Sequence, residues 1–264
     1  MMAHTVLSAN KTPWSWAGAG LVAGALLAVL VFAPARWLAA TVNQASSGLA
    51  LLEDARGTVW NGSGTLTLTG GAGSLDAATL PSRLGWQLRP SWTGLTLQVT
   101  APCCLAQAWD WQVQPQWGGV KLLVSDAPSN WPAQVLAGLG TPFNTLALQG
   151  KLALKPTGLQ IGWVSGRLQV AGQVQLEAQE LSSSLSTLRP MGSYRLNLTG
   201  GATPAVQLDT LSGPLQLSGQ GQWVGGKLQF NGEATSAPEH QAALANLLNI
   251  IGRRDGARSI IKQG

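Results

Sequence analysis

Cys103 and Cys104 are the residues whose chemistry stands out first, and they are the only two cysteines of the chain. Direct adjacency rules out the two-residue spacing of a CxxC redox motif. Two readings stand. In an oxidising compartment the pair closes into a disulfide ring or bonds to another chain. Otherwise the two small residues mark a structural kink between a strand ending near Thr100 and one starting near Trp109. The remaining reactive residues are too sparse for catalysis. His4 and His240 lie near opposite ends, so no His pair or triad assembles around them. The 11 acidic residues are spread thinly, without metal-ligand spacing. No glycine run carries the Lys-Ser/Thr of a phosphate loop. These residues predict no enzyme, no cofactor and no metal site.

The composition points to a different use. Charged residues are 10% of the chain, against about a quarter in an ordinary soluble domain. Gln, Thr, Ser and Asn supply the polarity instead, as suits the exposed face of a β-sheet. Apolar residues make up 45%, so the chain is not of disordered type. The net charge of +5 does not make a nucleic-acid footprint. Basic residues are scattered singly from Arg56 to Arg195. Arg253, Arg254, Arg258 and Lys262 form the only cluster, with no tryptophan beside it.

One segment differs in kind. From Ala17 to Ala33 there is no polar side chain. With Trp14 and Trp16 the apolar span reaches about 20 residues, enough to cross a bilayer core as a helix. Trp14 and Trp16 flank one end and Trp37 the other, as interface anchors do. Ala33-Pro34-Ala35 also resembles a signal-peptide cleavage site, with cleavage after Ala35. A signal peptide's apolar core is only about 7–15 residues, so length favours an uncleaved anchor. Lys11 on one side and Arg36 on the other nearly balance. The short leading tail is assigned to the cytoplasm and the rest to the periplasm of a bacterium.

The expected organisation is a cytoplasmic tail over 1–13, a transmembrane anchor over 14–35 and a juxtamembrane connector over 36–55. A periplasmic β-domain over 56–235 and a C-terminal helix with a basic tail over 236–264 follow. Within the β-domain, Thr65–Thr69, Leu84–Arg89, Leu95–Thr100, Trp109–Val113 and Val120–Ser125 read as strands. So do Thr145–Leu154, Gly158–Val164, Arg167–Glu177, Ser193–Leu198 and Ala205–Asp209. The clearest pattern is Leu211–Ala234. Leu215 and Leu217, then Leu228 and Phe230, alternate with polar residues around a turn at Gly225-Gly226. This unit echoes an earlier one, 148–175 against 211–235. Asn130–Leu139 is a short helix candidate with Asn130 as cap. Ser236 and Glu239 have capping-box spacing, and Leu244, Leu247, Leu248 and Ile251 follow at helical spacing. The fold class is therefore mainly β: a transmembrane helix, then a curved, largely antiparallel extended sheet of hairpins with a mid-chain helix and a C-terminal capping helix.

Several segments carry a family resemblance. Gly57-Thr58-Val59-Trp60-Asn61-Gly62 resembles the GTxWxG element that opens the periplasmic part of the type II secretion system protein N family. Leu188-Arg189-Pro190-Met191-Gly192-Ser193-Tyr194 is similar to its L-x-P-x-G-x-Y segment. Thr210-Leu211-Ser212-Gly213-Pro214-Leu215, Gly219-Gln220-Gly221-Gln222-Trp223 and Leu247-Leu248-Asn249-Ile250-Ile251-Gly252-Arg253 resemble later family segments. Residues 70–145 carry little of the likeness, and Cys103-Cys104 falls outside it. The resemblance implies a single-pass inner-membrane accessory component of the machinery that exports folded proteins through the outer membrane. It implies partners among the other secretion components and the inner-membrane bilayer. Two readings of the sheet follow: a scaffold that binds those components through its edge and polar face, or a module that holds lipid or extended peptide on a curved apolar face. An alkaline phosphatase fused after residue 60 is expected to be active. An inactive fusion, with a cytoplasmic reporter active at the same site, would reverse the topology.

Overall fold

The computed structural model describes residues 14–224 and 226–264. His4, Lys11 and Gly225 lie outside the described residues. Helix α1 runs over Trp14–Val31 and helix α2 over Ala35–Ala45. Pro34 stands at the N-cap of α2, where a missing N–H does no harm. Every side chain described from Trp16 to Phe32 is exposed. At 18 residues α1 is about 27 Å long, just under the roughly 30 Å of a bilayer core. Among the described residues no helix is long and apolar enough to cross a membrane.

The rest is one large antiparallel sheet. Its first seven strands are β1 (Ala50–Gly57), β2 (Asn61–Thr69), β3 (Ala77–Ser91), β4 (Gly94–Thr100), β5 (Trp109–Gln116), β6 (Gly119–Val124) and β7 (Ser129–Pro132). Then come β8 (Gln149–Val164), β9 (Arg167–Ser182), β10 (Gly192–Thr199), β11 (Ala205–Ser212), β12 (Leu215–Val224) and β13 (Lys227–Ser236). Helix α3 (Phe143–Leu146) precedes β8, and helix α4 (Gln241–Ile251) precedes β14 (Arg253–Asp255) and β15 (Arg258–Gln263). The order across the sheet is β1-β2-β3-β4-β5-β6-β8-β9-β10-β11-β12-β13-β15-β14, with β7 paired on β8 beside the main path. Sequence neighbours pair almost throughout, which suits a chain of hairpins.

Period-two alternation decides what lies on each face. Leu152, Tyr194, Leu215 and Ala234 point to one side and share one buried cluster with Ala133, Leu146 of α3 and Leu244, Leu247 and Leu248 of α4, the last three almost fully enclosed. Burial of each leucine stabilises by about 2 kcal/mol. A second cluster on the same face joins Leu80, Val99, Ala101, Cys104, Leu105 and Val135, the last from a 3-10 turn over Ala133–Leu139.

Several local expectations come out differently. Asn130 does not cap a helix. It lies in β7 and its N–H donates to Cys104 O, so the helical turn starts only after Pro132. The Ser236–Glu239 capping box does not form, because Ser236 is still in β13 and Pro238 opens a separate 3-10 turn before α4. The strand expected over 145–154 starts only at Gln149, since Thr145 and Leu146 close helix α3, and with the strand expected over 158–164 it forms one long strand, whose register with β9 shifts beside Gly158 (φ 56°). Strand β1 starts inside the expected connector, and the basic tail becomes the β14–β15 hairpin on the free edge of β13. Both echoing units form hairpins, turning at Gly166 and Gly226 with φ 75° and 81°.

The loop after β9 and the turn after β11 lock together beneath α4. Gly213 sits at φ 116°, and a side chain there would meet Gly192 Cα at 2.3 Å. Leu215 N–H donates to Met191 O, and the Tyr194 hydroxyl donates to Leu215 O at 3.1 Å. Tyr194 is buried, which pushes its pKa up. Truncating Leu248→Ala is expected to cost about 2–5 kcal/mol, and Tyr194→Phe about 1 kcal/mol. Urea denaturation of the full-length protein in detergent measures both. A Leu248→Ala cost below that of Tyr194→Phe would contradict this packing.

Candidate functional site

The face opposite α4 carries the polar half of the alternation. Lys155 pairs with Gln175, Gln175 with Asn197, Asn197 with Gln207, Gln207 with Gln220, Gln220 with Asn231, and Asn231 with Lys262. Direct cross-strand partners point to the same side. These residues therefore form one row across β8 to β15, five amides between two lysines. Six inter-strand steps of about 4.8 Å make it about 29 Å long. A neighbouring row repeats the chemistry with Thr157, Gln173, Thr199, Ala205, Gln222 and Gln229.

On the other side of the amide row lies a short charged one. Arg195 stands opposite Glu177 and donates to its Oε1 from Nε and Nη2 at 3.1 and 2.9 Å. Gln175 Nε2 donates to the same oxygen at 2.7 Å. The Arg195 guanidinium holds the Glu177 carboxyl below the usual carboxylate range, against the opposing effect of burial. Gln207 Nε2 donates to Asp209 Oδ1 at 3.2 Å. The exposed amides of Gln220 and Asn231 make no such side-chain bond among the described residues and stay open to a partner.

Three hollows lie on this face. One of about 400 Å³ is lined by Asn197, Gln207, Gln220, Gln222 and Asn231. A second of about 480 Å³ shares Gln207, Gln220 and Asn231 and adds Asp209 and Glu233. A third of about 540 Å³ sits by Lys121, Gln160 and Gln169 under the turn after β10. Amides that donate and accept at the same time, with little net charge, suit hydrogen bonding to polypeptide rather than to an acyl chain.

The edges suit binding less. In β1 the ladder shifts between Glu53 and Arg56, where Asp54 takes φ 48°. Arg83 and Arg56 both reach the Asp54 carboxylate, at 2.7 and 2.8 Å, and hold its pKa down. Helix α2 packs alongside β1. At the other edge β14 is three exposed residues long and includes two arginines. Bulges, charges and short edge strands all discourage strand addition.

The residues singled out by sequence fall elsewhere. Cys103 and Cys104 are bonded to each other, S–S 2.04 Å, in the loop after β4. Cys103 is exposed while Cys104 sits in the second core cluster. Trp14 and Trp16 are exposed on α1, and Trp37 is exposed in the first turn of α2. His240 ends a 3-10 turn before α4. None of these joins the amide rows. The signal that marks the rows is glutamine at period two, as in Gln173-Val174-Gln175 and Gln220-Gly221-Gln222. Composition registers those glutamines, but only strand register aligns them.

The fold is one large antiparallel sheet with rows of amides across the face that its helices leave open. A family model, Type II secretion system (T2SS), protein N, matches residues 48–261, and the chain belongs to that family. It is a component of type II secretion. None of the curated proteins and none of the solved structures matches the chain. The segments that carried the resemblance now have places. GTVWNG is the β1–β2 turn, LRPMGSY and TLSGPL are the interlocked segments, and LLNIIGR runs from the last turns of α4 through its C-cap Gly252 into β14.

The Glu177–Arg195 pair gives a pH prediction. A carboxyl with a depressed folded pKa adds stability above its unfolded value, about 4.3, and loses it as pH falls through the folded value. Arg195→Gln should therefore lower stability at pH 7 by about 1 kcal/mol or less, with the difference vanishing in acid. Denaturation midpoints from pH 7 to pH 3 check this; a difference that grows toward acid would refute it.

Proposed function

We propose that this protein is an inner-membrane-anchored periplasmic scaffold of the type II secretion system, binding other components through the amide-lined face of its sheet. The observation that carries the reading is the seven-strand row from Lys155 to Lys262, on the face that the chain's own helices leave open. The anchor reading is supported by α1, which is apolar along its length and exposed on all sides. A helix apolar all round, with its side chains left exposed, is suited to lipid. Trp14 and Trp16 at one end and Trp37 beyond the other fit the two interfaces.

The apolar-groove reading finds less support. Helix α4, α3 and the 3-10 turn together fill the apolar cluster that spans β8–β13, and the 3-10 turn also packs on β2–β4. The hollow of about 400 Å³ is lined largely by amides, and the one of about 480 Å³ shares three of them. Replacing Gln207 and Gln220 together by Glu puts like charges across one cross-strand pair and disfavours an uncharged partner surface. Secretion of a type II substrate into the medium should fall several-fold while the protein stays at wild-type level in the membrane. Undiminished secretion from a strain lacking the whole protein, with altered membrane lipid composition, would favour the lipid reading instead.

A further inference from the structure

The turns of the sheet are not alike at its two rims. In an antiparallel succession, alternate connections share a rim. The turns after β1, β3, β5, β8, β10 and β12 therefore lie on one side. The first of them is tied to the end of α1: Val59 N–H donates to Ala33 O at 2.9 Å, and Trp60 Nε1–H donates to Leu30 O at 2.8 Å. Leu88 N–H donates to Trp60 O, which links β3 into the same junction.

That rim carries the exposed tryptophans of the sheet. Trp92 and Trp117 stand at the apices after β3 and β5, fully exposed at 106% and 100%. Val120, Trp163 and Leu168 form an exposed cross-strand run beside the next apex. Exposed Trp37 opens α2 at the same junction, since Pro34 bridges Thr58. Exposed apolar residues at the opposite rim, such as Leu75 and Leu211, include no tryptophan.

The charges are sorted as well. Arg89, Lys121, Arg167 and Lys227 lie close to the apices, and among the described residues none of them is in an ion pair. Asp110, Glu177, Asp209 and Glu233, on β5, β9, β11 and β13, sit several residues nearer the other rim, and Asp54 near the end of β1 is paired with Arg56 and Arg83. At the opposite rim the signs mix, with Asp76 and Asp126 alongside Arg189 and Arg253. Tryptophan rings and long basic side chains together match the interface of a bilayer with anionic headgroups.

We propose that this rim is a second membrane contact: Trp92 and Trp117 enter the headgroup region of the bilayer that holds α1, and the four basic residues face its anionic lipids. The orientation turns the amide face sideways along the membrane, open to neighbours in the periplasm. The proposal rests on the anchor reading of α1, and the test separates the two.

The full-length protein is placed in nanodiscs of phosphatidylglycerol and phosphatidylcholine with or without brominated acyl chains. Emission of the rim tryptophans is the difference between wild type and the Trp92→Phe/Trp117→Phe variant. Emission of the anchor tryptophans is the difference from Trp14→Phe/Trp16→Phe, with matching near-ultraviolet circular dichroism as the check on folding. Bromolipid should quench both differences at least twofold. Quenching of the anchor pair alone would overturn the rim contact and leave the anchor standing, pointing to solvent or a protein partner at the rim. Quenching of neither would overturn both. In discs of phosphatidylcholine alone the rim quenching should fall by half or more; equal quenching would refute the part assigned to the basic residues.

Discussion

The burial of Leu244, Leu247 and Leu248 against the apolar side of β8–β13 is the contact on which the other features depend. A sheet with one apolar and one polar face has to cover the apolar one, and this chain does so with its last helix, α3 and the 3-10 turn over Ala133–Leu139. With α4 in place the two faces have separate fates. The covered face holds the fold, and the other keeps its glutamines and asparagines in water. The interlocked turn at Gly213 and the loop at Gly192–Tyr194 lie under the same helix, so the segments that mark the family build its seat.

An open sheet of this width also has to avoid joining others at its ends. The bulge at Asp54, held by two arginines, and the short arginine-bearing β14 both work against strand addition. On the proposed reading, recognition falls to the face. A row of amides about 29 Å long gains affinity from many modest hydrogen bonds rather than from a deep cavity, as befits an assembly that has to come apart.

Much of the fold was legible because period-two alternation is a local signal. Leu215, Leu217, Leu228 and Phe230 announce their strands, and Leu244, Leu247 and Leu248 announce the helix that covers them. What could not be read depends on partners distant in sequence. Gly158 reads as a break but is a bend inside one strand, because β9 runs alongside and holds both halves. Ser236 reads as a helix cap, yet pairing with Leu215 keeps it in β13. Arg258 and Ile260 read as a basic tail, although they find the free edge of β13. The candidate site was hidden for the same reason. The abundance of glutamine was visible, but the alignment of Gln175, Gln207 and Gln220 with Asn197 and Asn231 is a property of register.

The central claim is that the amide face is where this protein meets its partners. A photo-crosslinking amino acid placed at Gln220, in the full-length protein in living cells with an active type II system, tests it most directly. The account expects ultraviolet-dependent capture of another secretion component from Gln220, and none from an equivalent probe at Arg254 on the β14 edge. Capture of phospholipid alone at Gln220, or capture of a secretion component only at Arg254, would contradict it.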